Sequence, residues 1–262
     1  MDFEIIDFHT HPFPAPEYNI CCHRDYCAMT PESTRTLMQT LGISRFCGSV
    51  IRAATGPIQW RDLRELNDHA LALADYSGGA YIPGFHVHPS FVRESCEEIE
   101  RMSRLGVRLI GELVPYPCYS NWPCAYDDPA FSEILDCAEQ YGMVVSFHSM
   151  NEDAMDRMVQ AHPNLTFVAA HPGEYGEFSR HMERMRMSDR YFLDLSGTGI
   201  FRYGMIRHAI DLFGAERLIF GSDYPTCSPA MFVGAVALDP ILTDSEREKI
   251  FSGNARRLLG LS

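Results

Sequence analysis

Two histidines one residue apart, His9 and His11, close the run Ile5-Ile6-Asp7-Phe8-His9-Thr10-His11. Side chains alternate along a strand, so Asp7, His9 and His11 share one face and Ile6 and Phe8 the other. Two imidazoles at that spacing can reach one metal ion. Four further strand-like runs end on ligand-type residues: Ser146-Phe147-His148, Ala169-Ala170-His171-Pro172-Gly173, Ile110-Gly111-Glu112 and Phe220-Gly221-Ser222-Asp223-Tyr224-Pro225. Ser146 and Ala169 are small and are expected on the same inward face as the histidines that follow them. Imidazole combined with carboxylate suits zinc, manganese, iron or nickel. The expected cofactor is therefore a divalent cation, zinc first, as one ion, with two also compatible. Such an ion lowers the pKa of bound water toward neutrality and makes a nucleophile of it.

These residues need a scaffold that points strand ends at one place. Apolar runs of strand length recur at Glu4 to His9, Arg45 to Ile51, Ala80 to His86, Val107 to Leu113, Val144 to His148, Thr166 to His171, Tyr191 to Leu195 and Arg217 to Gly221. Helical patterns lie between them, among them Ile58 to Tyr76, Phe91 to Leu105, Ala130 to Tyr141 and Gly204 to Phe213. Strands alternating with helices predict a parallel sheet. Eight such units in 262 residues predict one domain over residues 1–262, an α/β fold of the (β/α)8 TIM-barrel class. The turns from helix to strand are short and carry glycine, as at Gly42, Gly106, Gly142 and Gly214. Two loops from strand to helix, His11 to Thr30 and Val114 to Asp128, are long. In such barrels the strand-to-helix loops build the active site, so this asymmetry identifies the working face.

The order His-X-His, His, His, Gly-Ser-Asp-Tyr-Pro resembles the amidohydrolase superfamily. More narrowly it resembles the amidohydrolase-related family that includes aminocarboxymuconate-semialdehyde decarboxylase and several lactonases. The closing Gly253-Asn254-Ala255-Arg256-Arg257-Leu258-Leu259 is similar to that family's last helix. The resemblance implies that His9, His11, His148 and Asp223 bind one divalent metal. It implies that His171 hydrogen-bonds the metal-bound water or the substrate, making Asp223 and His171 the catalytic pair. Glu112 adds a carboxylate. TatD-like relatives bridge two metals with one at the end of a middle strand, and other members of the superfamily use a carbamylated lysine there. Lys249 is the only lysine and belongs to a C-terminal helical pattern, which excludes the lysine variant. Glu112 is read as a direct metal contact. The other readings are a bridge, a hydrogen-bond partner of a ligand, or a core carboxylate paired with Arg108.

The expected activity is a metal-dependent hydrolase acting on a lactone, amide or other carbonyl-type bond of a small molecule. The alternative is a metal-dependent non-oxidative decarboxylase of an aromatic or unsaturated acid, with His171 and Asp223 moving protons. The chain is shorter than such decarboxylases, and it has Pro172-Gly173-Glu174 where they show a double glycine. A third reading is a metal-binding barrel without turnover.

Other residues carry lesser expectations. Asp7 is read as orienting an imidazole. His86 and His88 are read as pocket wall or structural hydrogen bonds, and Asp194 as a substrate contact or the cap of the following turn. Cys21, Cys22, His23 and Cys27 lack the spacing of a zinc knuckle and are read as free thiols. Tyr116, Tyr119, Trp122 and Tyr126 form a substrate wall or a partner contact. Arg52 pairs with a substrate carboxylate or, as the commoner fate, with a surface carboxylate. Net charge is −13, which argues against nucleic acid and anionic membrane as partners. The longest apolar stretch, Met231 to Leu238, is too short to span a bilayer. An acidic start predicts no signal peptide, and nine cysteines without a staple framework predict a reducing cytoplasm. The expected partners are a small-molecule substrate and, as an option, a second copy of the chain.

Overall fold

The computed structural model describes residues 3–15, 18, 20, 30–54 and 56–261. The strands are β1 (Ile5–Asp7), β2 (Ile43–Ser49), β3 (Tyr81–Phe85), β4 (Leu109–Leu113), β5 (Val144–His148), β6 (Thr166–Ala170), β7 (Tyr191–Asp194) and β8 (Leu218–Ile219). They form one sheet in sequence order, and every consecutive pair is parallel. Hydrogen bonds beyond the regular strands close the ring. Phe8 N–H donates to Phe220 O at 2.9 Å, Asp223 N–H to His9 O at 2.8 Å, and His11 N–H to Tyr224 O at 2.6 Å. The chain is a (β/α)8 barrel, as the strand–helix alternation predicts.

The crossovers are helices α1 (Pro31–Thr40), α2 (Trp60–Tyr76), α3 (Val92–Arg104), α4 (Pro129–Gln140), α5 (Glu152–Ala161), α6 (Tyr175–Met187) and α7 (Met205–Phe213). After β8 come α8 (Pro229–Ala237), α9 (Asp244–Glu248) and α10 (Asn254–Leu259). Their starts follow ordinary capping chemistry. Asp128 accepts from Ala130 N at 2.9 Å to begin α4, with Pro129 in the first turn where its missing N–H costs nothing. Asn151 accepts from Ala154 N at 3.0 Å to begin α5. The arginines Arg101 and Arg104 occupy the last turn of α3, where the helix dipole favours positive charge.

Inside the barrel one apolar layer draws a residue from each strand. Ile6, Cys47, Leu109, Val144, Val168, Phe192 and Ile219 are buried, Ile82 of β3 packs on them, and Phe8 joins just past β1. Ala255 and Leu259 of α10 complete this layer as a floor. Each fully buried aliphatic side chain there contributes about 1.5–3 kcal/mol relative to exposure. The outward set, including Ile5, Phe46, Val145, Phe147, Phe167, Tyr191 and Phe220, packs under the helices. Among the described residues no helix is long and apolar enough to cross a membrane. Cys47, Cys96, Cys118, Cys124, Cys137 and Cys227 are free thiols. The Cys21, Cys22, His23 and Cys27 group lies outside the described residues.

The largest shortfalls from the sequence patterns are at β1 and β8, each three residues shorter. β1 ends at Asp7 and β8 at Ile219 because the chain leaves regular pairing to form the seam. Phe8 N–H bonds Phe220 O just past β8, but Thr10 N–H bonds Cys47 O of β2 at 2.8 Å. In a regular strand residues two apart bond the same neighbour, so the chain switches sides between them.

Candidate metal centre

The seam presents the first ligands. His9 Nδ1–H donates to Asp194 Oδ2 at 2.7 Å, and His11 Nδ1–H donates to the Ser49 carbonyl at 3.0 Å. A carbonyl only accepts, so a neutral His11 has a bare Nε2, and His9 in the same tautomer does too. These two Nε2 atoms are 3.2 Å apart. Glu112 Oε2 lies 3.3 Å from His9 Nε2 and 3.2 Å from His11 Nε2. Asp223 Oδ1 lies 3.6 and 3.7 Å from the same two nitrogens. Four lone-pair donors thus face one another in a buried place, an arrangement that needs a positive charge at its centre. Tetrahedral bonds of about 2.1 Å would place ligand atoms about 3.4 Å apart, and these five separations run from 3.2 to 3.7 Å. The donor set fits a divalent cation.

Glu112 reaches this group from the end of β4, where Gly111 adopts φ 91°. Its second oxygen serves a different pair. His148 Nδ1 lies 2.9 Å from Glu112 Oε1, and His171 Nε2 lies 3.6 Å from it. The structure thus groups His9, His11 and Glu112 with Asp223 beside them, and separately groups Glu112, His148 and His171. His148, expected among the ligands of one ion, stands in the second group. Arg108 is not a partner of Glu112; histidines surround that carboxylate. Burial opposes its ionisation, yet His9 and His148 hold it well below the usual carboxylate range. Burial likewise opposes charge on His9, but Asp194 and Glu112 hold its imidazole well above the ordinary value. The same carboxylates that favour a proton on His9 favour a metal cation.

His171 and Asp223 both have left-handed backbones, φ 66° and 60°. The outward core holds Ala169, while Val168 belongs to the lumen layer. His171 therefore does not inherit Ala169's face by alternation, contrary to the strand pattern; the left-handed turn swings it in. Its ring stacks on His9 at 5.1 Å and meets His148 at 4.8 Å. Burial lowers the His171 pKa, and Glu112 pulls the other way. Burial raises the Asp223 carboxyl above its ordinary value against the pull of His9 and His171.

The imidazole-orienting role expected of Asp7 belongs to Asp194. Asp7 instead accepts from Ser222 N at 2.9 Å, Ser222 Oγ at 2.6 Å and His9 N at 3.2 Å, tying β1 to the Ser222-Asp223 turn. Burial pushes its carboxyl up to about 7. Asp194 also caps the following turn, accepting from Ser196 N at 2.7 Å. Sequence reasoning assigned no role to Ser196, whose hydroxyl lies 2.9 Å from His9 Nδ1 and 3.0 Å from His171 Nδ1. The tripeptide Asp194-Leu195-Ser196, with two polar residues at strand period, was the available signal.

His86 and His88 hold loops in place. His86 Nε2–H donates to Val50 O at 2.8 Å and His88 Nε2–H to Ser120 O at 2.9 Å. His86 also lines a pocket of about 230 Å³ with Ile51, Arg52, Leu66, Val114 and Tyr119. Arg52 lies 3.4 Å from Glu65 at the edge of this pocket, so it makes the surface pair and still faces the cavity. Of the loop aromatics, Trp122 and Tyr126 are core, packed on Phe131 and Phe147. Tyr116 stands edge-on to His148 at 5.0 Å, and burial raises its phenol.

Comparison with known proteins follows this geometry. The sequence profile of a family described as amidohydrolase matches residues 6–261. No curated protein matches the chain in sequence. A solved 2,6-dihydroxybenzoate decarboxylase, complexed with 2,6-dihydroxybenzoate, overlays with a TM-score of 0.78 at 18% identity, covering 100% of this chain and 99% of that one. The 5-carboxyvanillate decarboxylase of Sphingomonas paucimobilis overlays at 0.70 and 15% identity, covering 100% of both. The 5-carboxyvanillate decarboxylase of Novosphingobium aromaticivorans, with manganese and 4-hydroxy-3-methoxy-5-nitrobenzoic acid, overlays at 0.76 and 16% identity, covering 99% of this chain and 97% of that one. These overlays overturn the expectation of a hydrolase. That reading leans on a chain too short for a decarboxylase, and this chain spans 97–100% of theirs.

Proposed function

The chain belongs to the amidohydrolase family, and from that premise we propose that it is a metal-dependent, non-oxidative decarboxylase of an aromatic or unsaturated carboxylic acid. The observation that carries this reading is the full-length overlay on decarboxylases of hydroxylated benzoates, combined with a buried donor set that fits a divalent cation. His9, His11, Glu112 and Asp223 would hold one ion, with manganese and zinc the first to test. Bound there, the cation would neutralise the substrate's anionic oxygens and draw electron density toward them.

The chain's own residues supply the proton. Decarboxylation adds a proton to the carbon that bears the carboxylate. The carbon–carbon bond then breaks, its electron pair returns to the ring or alkene, and carbon dioxide leaves. Asp223, whose Oδ1 faces His9 and His11, keeps Oδ2 to carry that proton, and His171 can replenish it. Arg52 faces a cavity whose lining includes none of His9, His11, Glu112, His148, His171 and Asp223, so it is given no part in this step. Tyr116 gives a planar substrate an aromatic edge beside His148.

The test is carbon dioxide release by manganese- or zinc-loaded protein from hydroxylated benzoates, including 2,6-dihydroxybenzoate and 5-carboxyvanillate, and from unsaturated acids. Release that stops on chelation and returns with metal supports the proposal. A fully loaded protein that releases none from the whole panel refutes it. Elemental analysis of the same sample counts the ions.

A further inference from the structure

Ser196 follows β7 and is fully buried. Its hydroxyl touches three groups of the site. It donates to Asp194 Oδ1, and it lies 3.0 Å from His171 Nδ1 and 2.9 Å from His9 Nδ1. A hydroxyl has one proton, and an ionised carboxylate can only accept. The proton of Ser196 is therefore committed to Asp194, and the imidazoles must supply the protons for their own contacts. His171 then carries its proton on Nδ1, and its Nε2 is bare on the side of Glu112 Oε1, 3.6 Å away.

A second observation fixes the ring in this place. Gly197 has φ 58°, and a Cβ there would run into the His171 ring, within 2.7 Å of Cε1 and 2.8 Å of Cγ. The imidazole lies flat against the Ser196-Gly197 turn, with no room for a side chain between them. Ser196 and Gly197 together determine which nitrogen of His171 faces inward and which tautomer it has.

We propose that Ser196 is a positioning residue that holds His171 in the Nδ1–H tautomer, so that Nε2 is the nitrogen that carries the proton with which His171 replenishes Asp223. Asp194 acts through it. When Nε2 takes up a proton, the positive ring is joined to the Asp194 carboxylate by way of the Ser196 hydroxyl. The catalytic part of this inference rests on the decarboxylase reading; the tautomer part does not.

The experiment uses Ser196→Ala and Ser196→Cys in the full chain loaded with zinc. Metal content should equal that of the parent. With an active substrate, kcat for Ser196→Ala should fall about 10–100-fold, part of what a general acid–base supplies, while KM stays within about threefold. In ¹⁵N-labelled protein the His171 signals, assigned by their loss in His171→Asn, should show protonated Nδ1 and bare Nε2 in the parent. They should move toward the Nε2–H form in Ser196→Ala. Ser196→Cys, with a weaker acceptor in the same place, should lie between, and it carries the test if the alanine variant does not fold. A His171 tautomer unchanged in both variants would overturn the proposal, as would a parent with Nε2 protonated. If no acid is decarboxylated but the tautomer shifts as expected, the positioning role stands and the reaction assignment falls.

Discussion

The floor and the rim of this barrel are built by opposite rules. On the floor, one residue per strand faces inward at regular period, and Ile6, Leu109, Val144, Val168 and Ile219 interlock as an apolar layer. At the rim, His148 and Asp194 end regular strands, but the other side chains that carry chemistry arrive where the backbone departs from that period. β1 switches partners after Phe8, Gly111 has φ 91°, and His171 and Asp223 are left-handed. Regular strands give stability and little choice of direction. Irregular ends give direction, and a buried polar group there is kept only by compensating bonds.

This contrast can be broken from the rim first. His9→Ala combined with His11→Ala should abolish binding of manganese or zinc while circular dichroism still reports a folded barrel. Undiminished metal content in the double variant would remove the site. Gly197→Ala comes next. Its added methyl displaces the His171 ring, and misplacing a catalytic group by about 1 Å can cost about 100-fold in rate. The expected result is a kcat loss of that order with metal retained. A Gly197→Ala protein with parental kcat would show that the ring position is immaterial.

From the floor the effects are on folding. Leu259→Ala in α10 empties part of the lumen layer and should cost about 2–5 kcal/mol of stability, read from denaturant unfolding, with kcat unchanged at 25 °C. A matching loss of kcat would mean floor and rim are not independent.

The smallest effect concerns His86. Burial holds its imidazole down to about 4 from 6.5, against the favourable bond to Val50 O. Between those values the unfolded chain binds the extra proton, so stability rises with pH there and is lost as pH falls from 6.5 through about 4. His86→Gln keeps a donor toward Val50 O and should flatten this slope in unfolding measured across that window.

Legibility follows the same division. The eight strands were readable because alternation and helix period are properties of regular backbone; the inward layer was not, since the sequence pattern turns Ala169 inward and the structure packs it under the helices while Val168 faces the lumen. His9, His11, Glu112, His148, His171 and Asp223 were readable as ligand types at strand ends. Their mutual arrangement was not. Alternation placed His171 on the face of Ala169, but its direction depends on a left-handed turn. The split of Glu112 between two groups depends on where its two oxygens point, which residue identity does not encode. Asp194 and Ser196 were undervalued for a related reason. Their role is to orient His9 and His171, and that becomes visible only when the fold brings residues far apart in sequence into contact, 185 positions for Asp194 and His9 and 25 for Ser196 and His171.

The seam has a consequence for how the molecule comes into being. His9, His11 and Glu112 precede Asp223 in the chain, so an ion held by all four, as proposed, would find its full donor set only once synthesis has passed residue 223. Loading would then be a late event in the life of each molecule, and the ion would act as a clasp on the ring. Amide exchange should be slower in the loaded protein at Phe8, His11 and Asp223 than in the stripped one, with the opposite wall of the barrel indifferent to the difference.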